Sequence, residues 1–157
     1  MSKMKKLKDY LFPAIVIAGI GLFALSGRTD ATGADYVYEG EPEIIAATFS
    51  SAWCSSCKIL KPRLADVIPE FADDPVKFVE FDFTFGQRAD IAEQAEQEGL
   101  EDVYPRFKGA TGFTLLVDAD TGEIIDMLTI RHSKNAMRAV IAQAVATAER
   151  PLETPAP

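Results

Sequence analysis

The chain has 157 residues, 48% of them hydrophobic and 10% aromatic, enough for one ordinary core and too apolar for an unpacked polar chain. Its formal charge is −8, and Lys3, Lys5, Lys6 and Lys8 mask a more acidic remainder: from residue 31 onward acidic side chains outnumber basic ones two to one, which repels phosphate backbones and excludes nucleic acid as a first partner. Two cysteines and one histidine exclude a disulfide-scaffolded mini-protein and a zinc site of four Cys or His ligands within one chain.

Residues 1–10 carry the lysine cluster, and residues 11–27, LFPAIVIAGIGLFALSG, hold no charge. A core helix is seldom apolar all round, so this stretch reads as a membrane-targeting segment. It lies at the short edge of the roughly 17–25 residues that cross a hydrocarbon core, and it overlaps the apolar region of a cleavable signal peptide. Lysines on its N-terminal side hold residues 1–10 in the cytoplasm, so the chain after residue 30 is expected to be exported in either case. Ala24-Leu25-Ser26 and Thr32-Gly33-Ala34 offer small-x-small cleavage sites, whereas hydrophobicity that continues to Leu25 favours an uncleaved, single-pass anchor. Pro13 sits in the first turn of the segment, where its missing N–H costs little.

Residues 28–42 are small, polar and acidic and read as a linker, with a short extended piece at Tyr36-Val37-Tyr38. Residues 43–148 form the expected domain. The run EIIAATFSSAW from Glu43 is apolar and β-prone, as a strand buried on both faces should be. Ile59, Leu60, Leu64, Val67, Ile68 and Phe71 then recur at three- and four-residue spacing, which predicts an amphipathic helix from about Cys54 to Phe71, kinked at Pro62. Residues 76–83 (VKFVEFDF) form a second strand after an Asp73-Asp74-Pro75 turn, with Phe78, Phe81 and Phe83 assigned to the core. Residues 88–98 are helix-prone and stop at Gly99, and residues 100–112 read as a loop, with Tyr104-Pro105-Arg106-Phe107 as a second rim of the active face. Residues 113–117 form a third strand, residues 118–122 a turn, and residues 123–130 a fourth strand antiparallel to the third. Ser133 caps a last helix whose buried stripe is Met137, Val140, Ile141, Ala144, Val145 and Ala148, and residues 149–157 form a flexible tail. The order β, α, β, α, β, β, α predicts an α/β fold, a mixed sheet covered by helices on both sides.

Trp53-Cys54-Ser55-Ser56-Cys57-Lys58 lies where the first strand gives way to the first helix. Unpaired N–H groups and the positive end of a helix dipole favour a thiolate at Cys54. Cys57 lies about one turn on, close enough for disulfide closure and covered by the helix body. In this reading Cys54 attacks a substrate sulfur, Cys57 resolves the mixed disulfide, and no prosthetic group is required. A structural disulfide closing so small a loop would stabilise little by chain entropy. Two thiolates plus His132 could instead take zinc or copper with a carboxylate or a second chain completing the shell, although His132, between Arg131 and Ser133, reads more simply as a solvent-facing residue.

These features are similar to those of the thioredoxin superfamily over the stretch from about Glu41 to Ala148. An apolar strand ends in Phe49-Ser50-Ser51-Ala52-Trp53, the Cys54-x-x-Cys57-Lys58 motif follows, Pro62 stands five residues after the second cysteine, and Thr121-Gly122-Glu123 matches the family's hairpin turn. The anchor and Phe81-Asp82-Phe83-Thr84 resemble membrane-tethered periplasmic thioredoxins. The resemblance implies a thioredoxin-like fold behind one N-terminal transmembrane or signal-anchor helix. It implies catalysis by Cys54 and Cys57, with Lys58 and Pro62 as structural neighbours and Trp53, Phe113 and Thr114 as substrate contacts. It also implies protein disulfides as substrates, a membrane electron donor, and a single-pass inner-membrane location with the domain facing the periplasm, or a free periplasmic protein after cleavage. A reductant serving cytochrome or copper-site maturation fits best.

Two departures stand out. The family's cis-proline before the third strand is replaced by Thr114 or, in another register, by Gly112. The buried acid six residues before the first cysteine is replaced by Thr48, which predicts slower or differently pH-dependent exchange. The rival functions are a chaperone module for copper, zinc or an iron-sulfur centre, and a noncatalytic thioredoxin-like subunit of a membrane complex.

Overall fold

The computed structural model describes Tyr38 and residues 40–86 and 88–148. The expected anchor or signal segment, most of the linker and the tail lie outside the described residues. Among the described residues no helix is long and apolar enough to cross a membrane.

The elements are β1 (Ile44–Ser50), α1 (Cys57–Ala65), a 3-10 turn (Ile68–Phe71), β2 (Val76–Asp82), α2 (Ala89–Gln97), α3 (Tyr104–Phe107), β3 (Phe113–Asp118), β4 (Ile124–Thr129) and α4 (Lys134–Ala148). The sheet order is β2-β1-β3-β4. β1 runs parallel to β2 and antiparallel to β3, and β3 runs antiparallel to β4. All seven residues of β1 are buried, as its unbroken apolar run requires of a central strand covered on both faces.

Because side chains alternate along a strand, the two faces of the sheet make two separate cores. Ile44 and Ala46 of β1 pack with Leu60 and Leu64 of α1, Phe71 of the 3-10 turn and Met137, Ile141 and Val145 of α4. Ile45, Ala47 and Phe49 pack on the opposite face with Phe81, Phe83, Ile91, Ala95 and Tyr104. The expected stripe of the last helix is therefore the one buried, with Val140 and Ala148 at its margin, and Ser133 Oγ accepts the Ala136 N–H at 3.2 Å as its cap.

Three expectations need correction. The helix predicted from about Cys54 to Phe71 is assigned only over Cys57–Ala65, and a separate 3-10 turn follows at Ile68–Phe71. Pro62 is accommodated inside α1, but Pro69 has no N–H to give the carbonyl four residues back, that of Ala65, and in a continued α-helix its ring would clash with it, so the helix ends there. Tyr104–Phe107 is one turn of helix rather than loop, with Pro105 in its first turn, where no intrahelical N–H is needed. Phe78 does not share a core with Phe81 and Phe83. An odd separation puts it on the other face, half-buried against the α1 and α4 side.

Candidate functional site

β1 delivers its C-terminal end to a tight turn that leads into α1, and the two cysteines close a disulfide across that turn with their Cα atoms 5.2 Å apart. The Cys54 N–H donates to the Ser51 carbonyl at 3.2 Å, and the Cys54 carbonyl accepts the Lys58 N–H at 3.4 Å, so Cys54 stands at the entrance to the helix. The Cys57 N–H points at Cys54 Sγ from 3.1 Å. A donor so placed, at the positive end of a helix, stabilises negative charge on Cys54 once the disulfide opens. Cys54 is half-buried, whereas Cys57 is only 3% exposed, with its Sγ 4.0 Å from the Phe49 carbonyl oxygen. One sulfur is open to a partner and the other sits behind it.

The predicted neighbours separate into those near the sulfurs and those away from them. Trp53 is 82% exposed and braced by its indole N–H, which donates to the Thr84 carbonyl at 3.3 Å. Lys58 and Pro62 lie on the exposed side of α1. Phe113 is half-buried and stacks on Phe49 with centroids 5.1 Å apart. Thr114 is fully buried, and its hydroxyl shares a 2.8 Å hydrogen bond with that of Thr48, so its side chain lies in the interior of the sheet. Of the two candidates for the position facing the dithiol, the structure selects Gly112. A Cβ placed there would lie 3.0 Å from Ser56 Cβ and 3.4 Å from Cys54 Sγ, and its φ of +102° favours glycine. The Gly112 N–H also donates to the Phe49 carbonyl at 2.8 Å.

His132 is not brought into a shell with the cysteines. Its Nδ1 accepts the Thr129 N–H at 3.1 Å, and among the described residues no three Cys, His, Asp or Glu side chains gather as a metal site. The metal-chaperone alternative thus lacks its third ligand within the described part of the chain. Tyr104 does not form a rim of the active face. It is 4% exposed, lies against Phe81 and Phe83, and burial, aided by the Asp90 carboxylate, pushes its phenol above the ordinary range. Phe107 turns inward against Phe49 and Phe113.

Two features escaped the sequence reading. Phe85 is 80% exposed and follows Thr84, whose carbonyl accepts the Trp53 indole N–H, so two exposed large apolar side chains lie on segments joined by that hydrogen bond. Thr84 is itself held there: its hydroxyl accepts the Ala52 N–H and donates to Asp82 Oδ1. The available signal was an apolar residue placed after the end of a strand and just before Gly86. The second feature is an ion pair between Lys61 of α1 and Glu80 of β2, with Nζ and Oε1 2.5 Å apart, to which the Ser50 hydroxyl also donates. No spacing in the sequence announces it, because the three residues meet only through strand register.

A protein-family model described as Thioredoxin matches residues 29–108, just over half of the chain. The chain belongs to the thioredoxin family. Among solved structures it is similar to a mutant thioredoxin from Halobacterium salinarum, at 17% identity over 74% of this chain and 81% of that one, with a TM-score of 0.41. It is also similar to thioredoxin from Trypanosoma brucei brucei, at 15% identity over 68% and 79%, TM-score 0.43, and to StoA from Bacillus subtilis, at 15% identity over 66% and 85%, TM-score 0.45. No curated protein matches. The thioredoxin domain and its Cys54–Cys57 pair support a thiol–disulfide oxidoreductase at the general level.

Proposed function

We propose that this thioredoxin-family chain is a membrane-tethered disulfide reductase that acts on proteins in the periplasm. The observation that carries the redox reading is the asymmetry of the two sulfurs: Cys54 is reachable, at the head of α1 and aimed at by the Cys57 N–H, while Cys57 is buried directly behind it. The Cys54 thiolate attacks one sulfur of a substrate disulfide, that bond breaks, and the leaving sulfur departs with the electron pair and takes up a proton. Cys57 then loses its proton and attacks Cys54 Sγ, which frees the second substrate thiol and leaves the Cys54–Cys57 disulfide. The substrate has gained two electrons, so a dithiol donor must reduce the pair again, and a donor in the membrane suits a tethered domain. The tether and the compartment rest on the uncharged segment at residues 11–27 behind its lysine cluster. The reducing direction rests on the likeness of that layout to tethered periplasmic thioredoxins. Trp53 and Phe85 supply an apolar rim on which substrate chain docks beside Cys54.

Replacing Cys54 by Ser is expected to abolish insulin reduction, and replacing Cys57 by Ser is expected to trap mixed disulfides with exported proteins in membranes. Full insulin reduction by the Cys54→Ser protein would remove the enzymatic reading. Trapped partners confined to the cytoplasm would remove the location.

A further inference from the structure

Strand register brings the dithiol turn and three other connections to one end of the sheet. Ser50 at the end of β1 lies opposite Asp82 at the end of β2, Phe49 lies opposite Phe113 at the start of β3, and Phe113 lies opposite Thr129 at the end of β4. The turn after β2, the stretch from Phe107 to Gly112 and the β4–α4 junction therefore emerge at the same end as Cys54. The opposite end carries Glu41 and Glu43 before β1, Asp73 and Asp74 before β2, and Asp118, Asp120 and Glu123 around the β3–β4 turn.

The cations divide just as unevenly. Lys61, Lys77, Arg88, Lys134 and Arg138 each meet a carboxylate. Lys58, Arg63, Arg106, Lys108 and Arg131 have no ion pair among the described residues, and each belongs to the dithiol end. The Lys58 N–H donates to the Cys54 carbonyl. Arg63 reaches the carbonyls of Ile130 and His132, which are neutral and leave its charge uncancelled, and the exposed Arg131 stands between those two residues. The Arg106 guanidinium lies 5.7 Å from the centroid of the Phe107 ring, which packs on Phe49 and Phe113. Lys108 precedes Gly112 by four residues, so its backbone is within about 14 Å of the glycine that lies against Cys54. Of the acids on these connections, Asp90 is paired with Arg88 and Asp82 turns its Oδ1 onto Thr84.

The acidic domain repels an acidic chain on most approaches, whereas this end attracts one that comes within a Debye length, roughly 8 Å at physiological salt. Trp53, Ile59, Phe85 and Ile130, the exposed large apolar side chains of the described residues, stand on the same segments, so apolar contact is offered among unpaired cations. We propose that this end of the domain selects disulfide substrates whose cysteines are flanked by aspartate or glutamate, with Lys58, Arg106, Lys108 and Arg131 receiving those carboxylates while the substrate sulfur meets Cys54. This inference rests on the exchange reading above and names its substrate class. The cations take no part in the sulfur chemistry; they favour encounter and docking.

The test uses the full-length chain in detergent micelles and three synthetic peptides of one apolar sequence without tryptophan, each closed by an internal disulfide and flanked by Glu, Gln or Lys. Single-turnover reduction of the Glu peptide by the reduced protein is expected to run about tenfold faster than that of the Gln peptide, and that of the Lys peptide about tenfold slower, as two or three exposed ion pairs allow. The spread is expected to narrow as salt is raised. Lys108→Glu combined with Arg131→Glu, both at exposed positions, is expected to reverse the order of the Glu and Lys peptides. A purely structural defect would slow all three alike. Equal rates in the parent protein, or an order that survives the double substitution, overturn the inference. Binding is read separately with peptides in which Ser replaces both cysteines, through the fluorescence of Trp53, the chain's only tryptophan. Tighter binding of the Glu peptide without any reduction overturns the exchange reading and upholds the selection, whereas reduction of all three at one rate, with equal affinities, does the reverse.

Discussion

Thr48 and Thr114 show how a single hydrogen bond decides a residue's role. Both hydroxyls are buried in the centre of the sheet and satisfy each other at 2.8 Å. Thr114→Val removes one partner and leaves the Thr48 hydroxyl buried without a mate, which is expected to cost about 1–3 kcal/mol. Changing both to Val together is expected to recover most of that loss, because no unpaired group then remains. Urea denaturation of the two single variants and the double variant measures this cycle, and additive losses would show that the pair is not coupled. The family resemblance placed Thr114 near the thiols, at the position of the cis-proline. Its depth was not legible, because a strand residue's exposure depends on which face it occupies and what covers that face. Gly112 carried a weak signal as a candidate, yet only its backbone conformation and the nearness of Ser56 and Cys54 separate it from its neighbours.

At the scale of elements, α1 holds the dithiol and must itself be held. Leu60 and Leu64 anchor one face of it in the core, and Arg63 ties its last turn to the carbonyls of Ile130 and His132. The 3-10 turn that follows is fastened to α4 by Arg138, whose guanidinium makes two hydrogen bonds to the carboxylate of Glu70; Lys134 pairs with Asp66 nearby. The hydrogen bond from Arg138, reinforced by its charge, holds the Glu70 carboxyl below the usual carboxylate value of 4.5. Since the folded value is the lower one, this clamp contributes stability at pH above the unfolded value and loses it as pH falls through the folded value. Glu70→Gln is therefore expected to flatten the acid side of the stability–pH curve while leaving the fold intact, as read by denaturation midpoints across the acid range. An unchanged acid limb would show that the clamp does not contribute. The hydrophobic spacing marked the core side of this region except at Ile59, which is exposed, and it overran the helix end. Three- and four-residue periodicity persists through a break in the backbone, and the second proline, Pro69, sets the boundary.

For the whole molecule, the expected division of labour is between a membrane-directed N-terminus and an acidic redox domain. Deleting residues 1–27 is expected to move the protein from the membrane to the soluble fraction while insulin reduction by the domain persists. Fractionation and the reduction assay check both halves of that statement. A truncated protein that remains on membranes would show that attachment comes from elsewhere in the chain. The domain has the internal means to stand alone, because both faces of its sheet are covered by helices from its own sequence. From residue 31 onward acidic side chains outnumber basic ones two to one, a charge that repels polyanions.

The sequence by itself determined the order of the four strands and the three longer helices, the mixed sheet with helices on both sides, the stripe of the last helix, and the dithiol where the first strand turns into the first helix. These follow from local periodicity and short-range spacing, which a chain carries along its length. Tertiary structure alone decided that Gly112 rather than Thr114 lies against Cys54, that Tyr104 turns inward, and that Ser50, Glu80 and Lys61 meet between β1, β2 and α1. Each of these depends on contacts between residues far apart in the chain, and strand register and helix docking set those contacts in three dimensions.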